Sequence, residues 1–70
     1  MRTIWNVGTD NNLPIETRKA QRQTIIDNGL EYHARFADEP SARKFADKIK
    51  SATGISLSII PSYPVGFKIL

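Results

Sequence analysis

The sequence predicts an α+β fold: an antiparallel sheet of about four to five strands with one main helix, residues 39–53, packed on one face. Two observations lead to this prediction. Residues 39–53 have the apolar spacing of a helix, with a start signal and a stop signal. Alternating, β-prone runs precede and follow them. The length of 70 residues is typical of one small domain, so we treat residues 1–70 as a single domain.

The first predicted strand runs from Arg2 to Val7 and ends at Gly8. Its alternation places Trp5 and Val7 on the same face. We expect Trp5 to anchor the core, because the burial of aromatic side chains contributes strongly to core energetics. Residues 9–12, Thr-Asp-Asn-Asn, are typical of a turn and follow this strand directly.

The segment before the main helix has two interpretations. Asn28-Gly29 is a strong signal for a two-residue β-hairpin turn, and it lies between two β-prone runs, 24–27 and 30–36. The alternative is a helix over 18–27 that the same dipeptide closes, but the apolar residues there form no sustained stripe. We therefore favour the hairpin. Its second strand would point Leu30, Tyr32, Ala34 and Phe36 inward and Glu31, His33 and Arg35 outward.

The main helix has clear signals at both ends. Asp38 is a favourable N-cap, Pro40 lies in the first turn where no hydrogen bond is lost, and Gly54 can adopt the left-handed conformation that ends a helix. One stripe of the helix is apolar, and we expect it to be buried against the sheet. That stripe consists of Ala42, Phe45, Ala46, Ile49 and Ala52.

Two further strands are predicted after the helix. The first, Ile55–Ile59, alternates apolar residues with outward serines, and residues 60–64 form a connection constrained by two prolines. The second, Val65–Leu70, would close the sheet. An unpaired apolar edge invites pairing with a second copy, so homodimer formation through Val65–Leu70 is one alternative.

The composition argues against an enzyme, a cofactor and a metal site. The chain has no cysteine and one histidine, so disulfides, thiolate sites and multi-histidine sites are excluded within one chain. His33 lies on the outward side of a predicted strand, where polar surface is the ordinary role, and the four glycines do not form a phosphate-binding loop. A membrane-spanning run of about 18 apolar residues and a signal-peptide core are lacking, so we expect a cytoplasmic protein.

Basic residues are the remaining candidates for a binding site. Ten Lys and Arg exceed seven Asp and Glu, for a net charge of +3, which favours an acidic or polyanionic partner. A solvated surface is the competing interpretation of each group, and Asp47 is spaced to form an ion pair with Arg43. The candidates are Arg18, Lys19 and Arg22 in the weakly apolar segment, Arg35 on the open sheet face, and Arg43, Lys44 and Lys48 on the outer helix surface.

These features predict a small non-enzymatic binding protein, a regulator or inhibitor that docks on a partner protein. In size and element order the chain is similar to small phage-encoded inhibitors of host enzymes. The alternative is a basic nucleic-acid-binding module, with Arg18, Lys19, Arg22 and Arg35 on phosphates. The strand–turn–strand–helix order predicted for 24–49 resembles, in outline, the arm-binding domains of some integrases.

Overall fold

A computed structural model describes residues 3–62 and has three strands and two helices among them. The order is β1 (Ile4–Gly8), α1 (Ile15–Asp27), β2 (Ala34–Phe36), α2 (Glu39–Thr53) and β3 (Ser58–Ser62). β1 is the central strand and pairs antiparallel with β2 on one side and β3 on the other. The α+β class is therefore confirmed, whereas the expected four to five strands and single main helix are not matched by the described residues.

The predicted main helix is confirmed as α2, with the expected caps. The Asp38 carboxylate accepts hydrogen bonds from the Ser41 backbone N–H at 3.0 Å and from the Ser41 hydroxyl at 3.1 Å. At the other end Gly54 has φ 80°, and its N–H donates to the Lys50 carbonyl at 2.8 Å. Both ends thus satisfy backbone groups that a helix otherwise leaves without partners.

The core lies between α2 and one face of the sheet. Ala42, Ala46 and Ile49 are the buried residues of α2, and Val7 of β1 is fully buried. Small alanines on the contact face of a helix allow its backbone to approach a sheet closely. Ala52, expected in the buried stripe, is exposed at the last turn. The half-buried residues around this core are Trp5, Phe36, Phe45, Leu57 and Ile59, so Trp5 packs against the core as expected but is not itself fully buried.

The predicted hairpin at Asn28-Gly29 is wrong, because this dipeptide ends helix α1. A type I′ hairpin turn needs positive φ at both residues, but only Gly29 has it, at 74°, whereas Asn28 has φ −92°. The Gly29 N–H donates to the Ile26 carbonyl at 2.9 Å, and the Leu30 N–H donates to the Ile25 carbonyl at 3.1 Å. This pair of bonds is the Schellman motif of a helix C-terminus.

The inward side of α1 is mostly polar, which explains why its helical pattern is hard to detect. Arg18, Gln21, Arg22 and Ile25 follow the i, i+3, i+4, i+7 spacing of one helix side and are the residues of α1 that are not exposed. Of these, Ile25 alone is fully buried. The backbone of α1 packs against that of α2 and not against a described strand. A search for an apolar stripe therefore misses this helix.

The last two described strands differ from the predicted ones in length and position. β2 covers only Ala34–Phe36 of the expected run 30–36. β3 begins three residues after the predicted start at Ile55 and includes Pro61, which pairs with Trp5. Proline is tolerated there because β3 is an edge strand of the described sheet. The predicted strand Val65–Leu70, and with it the proposed dimer edge, lies outside the described residues.

Candidate functional site

One face of the sheet is not packed against either described helix. In β1, Trp5 and Val7 point towards α2, so the alternate residues point the opposite way. None of the residues on this opposite face is buried, and neither α1 nor α2 packs across it. We call it the open sheet face, and it consists of Ile4, Asn6, Gly8, Arg35, Ser58, Ile60 and Ser62.

The open sheet face combines a cation, an amide and an exposed aliphatic side chain. Asn6 lies at its centre, with Arg35 opposite on β2 and Ile60 opposite on β3. The Asn6 amide donates a hydrogen bond to the Ser62 hydroxyl at 2.8 Å, which links β1 to β3 on this side. Ile60 is 45% exposed. β1, β2 and β3 contain no acidic residue, so this face offers hydrogen bonds, apolar contact and positive charge.

A cavity of about 190 Å³ lies at the Gly8 end of the open sheet face. His33 borders it and packs beside Gly8: a Cβ atom on this glycine would lie 3.5 Å from the His33 Cδ2 atom. The cavity therefore lies between the end of β1 and the segment that leads into β2. We call it the Arg22 cavity, and its polar and aromatic lining includes Asn6, Asn11, Arg22, Tyr32, His33 and Ser58.

Two contacts hold the Arg22 side chain at this cavity. Its Nε donates a hydrogen bond to the Thr9 hydroxyl at 3.3 Å, and Thr9 is buried. Its guanidinium carbon lies 5.5 Å from the centroid of the Tyr32 ring, within the range of a cation–π interaction. The hydrogen bond from Nε and the contact of one guanidinium face with the Tyr32 ring thus hold the planar head group in place. Its two terminal nitrogens are the part suited to binding an anion with two parallel hydrogen bonds.

The other basic candidates on α1 and β2 have different environments. Arg18 is half-buried, and its Nε donates to the Leu13 carbonyl at 3.0 Å, which stabilises the turn before α1. Lys19 is exposed on the outer side of α1. Arg35 is exposed on the open sheet face. The structure therefore brings Arg22 and Arg35 to the same side of the sheet, while Lys19 is exposed to solvent on α1.

The three basic candidates on α2 form a separate group. Arg43 forms an ion pair with Glu39 at 2.8 Å, one turn before it, instead of the predicted pair with Asp47. Lys44 and Lys48 are exposed. Because α2 packs on the core face of the sheet, this group is not part of the open sheet face. The seven candidates do not form one continuous basic surface.

The partners of Arg22 are not predictable from local sequence. The residue pattern indicates only a turn at Thr9 and only an inward strand position at Tyr32. A usable signal was present, because Arg18, Arg22 and Ile25 share one side of a helix at residues 15–27. An arginine on the inward side of a helix needs a polar partner or an opening to solvent.

No family model matches the chain, and neither a curated protein nor a solved structure matches it. Within residues 3–62, no three His, Cys, Asp or Glu side chains are grouped so that they could hold a metal ion. Neither α1 nor α2 has the length and apolar character needed to cross a membrane.

Proposed function

We propose that this protein is a small non-enzymatic regulator or inhibitor that docks on an acidic surface of a partner protein through its open sheet face. The observation that carries the proposal is the composition of this face. Exposed Ile60 lies beside Asn6 and Arg35 on a sheet whose described strands contain no acidic residue.

The physical chemistry of interfaces supports this proposal. An exposed aliphatic side chain supplies apolar area to bury, and neighbouring amide and hydroxyl groups supply directional hydrogen bonds. Arg35 is exposed and adds positive charge, which raises the association rate with an acidic surface and disfavours basic partners. A standard interface buries about 800 Å² on each partner. A footprint of that size extends beyond the three strands to the bordering residues Arg22, Tyr32 and His33.

Nucleic acid is the competing partner, and the distribution of basic residues favours it less. Phosphate recognition uses a basic patch or stripe that follows the nucleic-acid backbone. Arg43, Lys44 and Lys48 instead belong to α2, which packs on the sheet face opposite to that of Arg35. Single strands also need aromatic faces on which bases can stack. In the described part of the chain, one side of the Tyr32 ring is already covered by Arg22.

A capture experiment with surface variants tests the proposal. Immobilised wild-type protein is exposed to nuclease-treated lysate of the source cells, in parallel with Arg35→Glu, Ile60→Asp and the control Lys44→Glu. Lys44→Glu makes the same charge change as Arg35→Glu, but on α2. We expect a stoichiometric protein with the wild type and with Lys44→Glu, and its loss with Arg35→Glu and Ile60→Asp.

The captured protein is then purified and its binding measured by calorimetry and chemical-shift mapping. Shifts concentrated on the open sheet face support the proposal. Equal capture by all four baits, or loss with Lys44→Glu alone, contradicts it. Binding to nucleic acid in untreated lysate, with log K falling by about 0.9 per phosphate contact for each unit of log salt concentration, would instead identify the competing function.

A further inference from the structure

We propose that the Arg22 cavity receives one anionic side chain of the partner protein, with the Arg22 guanidinium as its principal contact. The inference rests on the proposed function for the identity of the partner, because the cavity opens at the end of the open sheet face. The shared chemistry is a planar or tetrahedral oxyanion. It would be supplied by an Asp or Glu carboxylate or by a phosphorylated serine.

The size of the cavity favours a single side chain. Small-molecule and cofactor sites usually enclose about 300–1,000 Å³. The Arg22 cavity has a volume of about 190 Å³ and is partly open to solvent. It therefore has room for the end of one side chain but is small for a nucleotide or an organic cofactor.

The charge of the lining favours an anion. Arg22 is the charged residue of the lining, and no Asp or Glu is among the described residues that line the cavity. The other polar groups there, Asn6, Asn11 and Ser58, are neutral and include hydrogen-bond donors. An anion in this cavity would meet donors and positive charge without an opposing carboxylate.

The position of Arg22 distinguishes it from Arg43. The Arg43 guanidinium already donates to the Glu39 carboxylate at 2.8 Å. Arg22 instead uses its Nε for the neutral Thr9 hydroxyl and one face for the Tyr32 ring. Its positive charge therefore has no carboxylate partner among the hydrogen bonds of residues 3–62. Because Arg22 is half-buried and its head group is held by two contacts, binding an anion should cost less side-chain entropy, and the interaction should be screened less by solvent.

A heteronuclear NMR titration of the full chain tests this inference with three small probes. They are the N-acetyl, N-methylamide derivatives of glutamate, of phosphoserine and of glutamine as the neutral analogue. We expect saturable shifts of the Gly8, Thr9 and His33 amides and of the Arg22 Nε–H with one anionic probe or both, at dissociation constants on the order of millimolar. The glutamine probe should give no saturable shifts. The tighter anionic probe identifies a carboxylate or a phosphate as the natural group.

Matched variants assign the effect to the cavity. Arg22→Gln should weaken the binding of the anionic probes by roughly tenfold or more, since a hydrogen bond to a charged group is lost. Arg43→Gln should leave the dissociation constants of these probes unchanged. Asn11→Asp keeps Arg22 and adds a carboxylate to the lining, so it should also block binding. Its control is Asn12→Asp, the same change at the next exposed turn position. The Asn11 pair keeps the test valid if Arg22→Gln loosens the fold.

The outcomes separate this inference from the proposed function. Equal shifts with glutamate and glutamine probes, or binding unchanged in both Arg22→Gln and Asn11→Asp, would overturn the inference, even if Ile60→Asp abolishes partner capture. Saturable binding of an anionic probe that Arg22→Gln and Asn11→Asp both remove supports it. That result would hold even if partner capture proves independent of Arg35 and Ile60.

Discussion

The guanidinium of Arg22 lies over the ring of Tyr32, with its central carbon 5.5 Å from the ring centroid. This contact joins α1 to the segment that leads into β2. The same arginine donates to Thr9, which directly follows β1. One side chain thus links α1 both to the loop that follows β1 and to the segment that precedes β2. It also leaves a cationic head group at the cavity on the open sheet face.

We predict that Arg22→Gln lowers the free energy of unfolding by about 1 kcal/mol, because the cation–π contact and the hydrogen bond to Thr9 are both lost. Urea unfolding with an unchanged m-value measures this difference. Lys19→Gln removes the same charge from the exposed side of α1 and should change stability by less than about 0.5 kcal/mol. Equal effects of the two variants would show that charge alone, and not the contact with Tyr32, is responsible.

We predict that Gly29→Ala costs about 1–2 kcal/mol, because a Cβ is unfavourable at φ 74°. Asn28→Ala should cost less, since Asn28 has negative φ and its side chain makes one exposed hydrogen bond, to the Thr24 carbonyl. Thermal unfolding of the two variants provides the comparison. In a type I′ hairpin both residues would have positive φ. Comparable losses at both positions would therefore contradict the helix end described here.

We predict that Ile49→Val costs about 1 kcal/mol, because it removes a methylene group from a fully buried position on α2. Ile60→Val makes the same chemical change on the open sheet face, where the side chain is 45% exposed, and should be nearly neutral. Denaturant unfolding of both variants tests the assignment of the two faces. A larger loss at Ile60 would mean that this face is covered in the free protein.

We predict that Asp38→Ala lowers stability by about 1 kcal/mol, because the Ser41 N–H loses its side-chain acceptor at the start of α2. Asp38→Asn should retain most of the stability, since asparagine caps about as well. Asp47→Ala, an exposed change in the middle of the same helix, is the control for loss of a carboxylate. If Asp38→Ala and Asp47→Ala proved equally mild, the cap would contribute nothing measurable.

Local signals predicted much of the fold. The caps of α2, its buried alanines and the inward direction of Trp5 and Val7 all depend on residues close together in the sequence. The turn after β1 is also local: the Leu13 N–H donates to the Asp10 carbonyl at 3.1 Å, and the Asn12 N–H donates to the Asp10 carboxylate at 2.9 Å. Such patterns can be read from the sequence because the interacting groups are only a few residues apart.

The candidate site was predicted only in part. Arg22 and Arg35 were among the expected binding residues, but nothing local indicated that the two lie on one side of the sheet and the α2 group on the other. The boundaries of β3 were also missed. Pro61 argued against a strand, and only its place at an edge of the described sheet makes that residue acceptable.

The sequence by itself determined α2, the alternation of β1 and the excess of positive charge, because each depends on composition or on short-range spacing. Only the tertiary structure decided whether Asn28-Gly29 turns a hairpin or ends a helix. A glycine with positive φ suits either one, and the choice depends on contacts between distant parts of the chain, such as the packing of α1 against α2. Tertiary structure also decided the role of Arg22, since its partners Thr9 and Tyr32 come from separate parts of the chain that folding brings together.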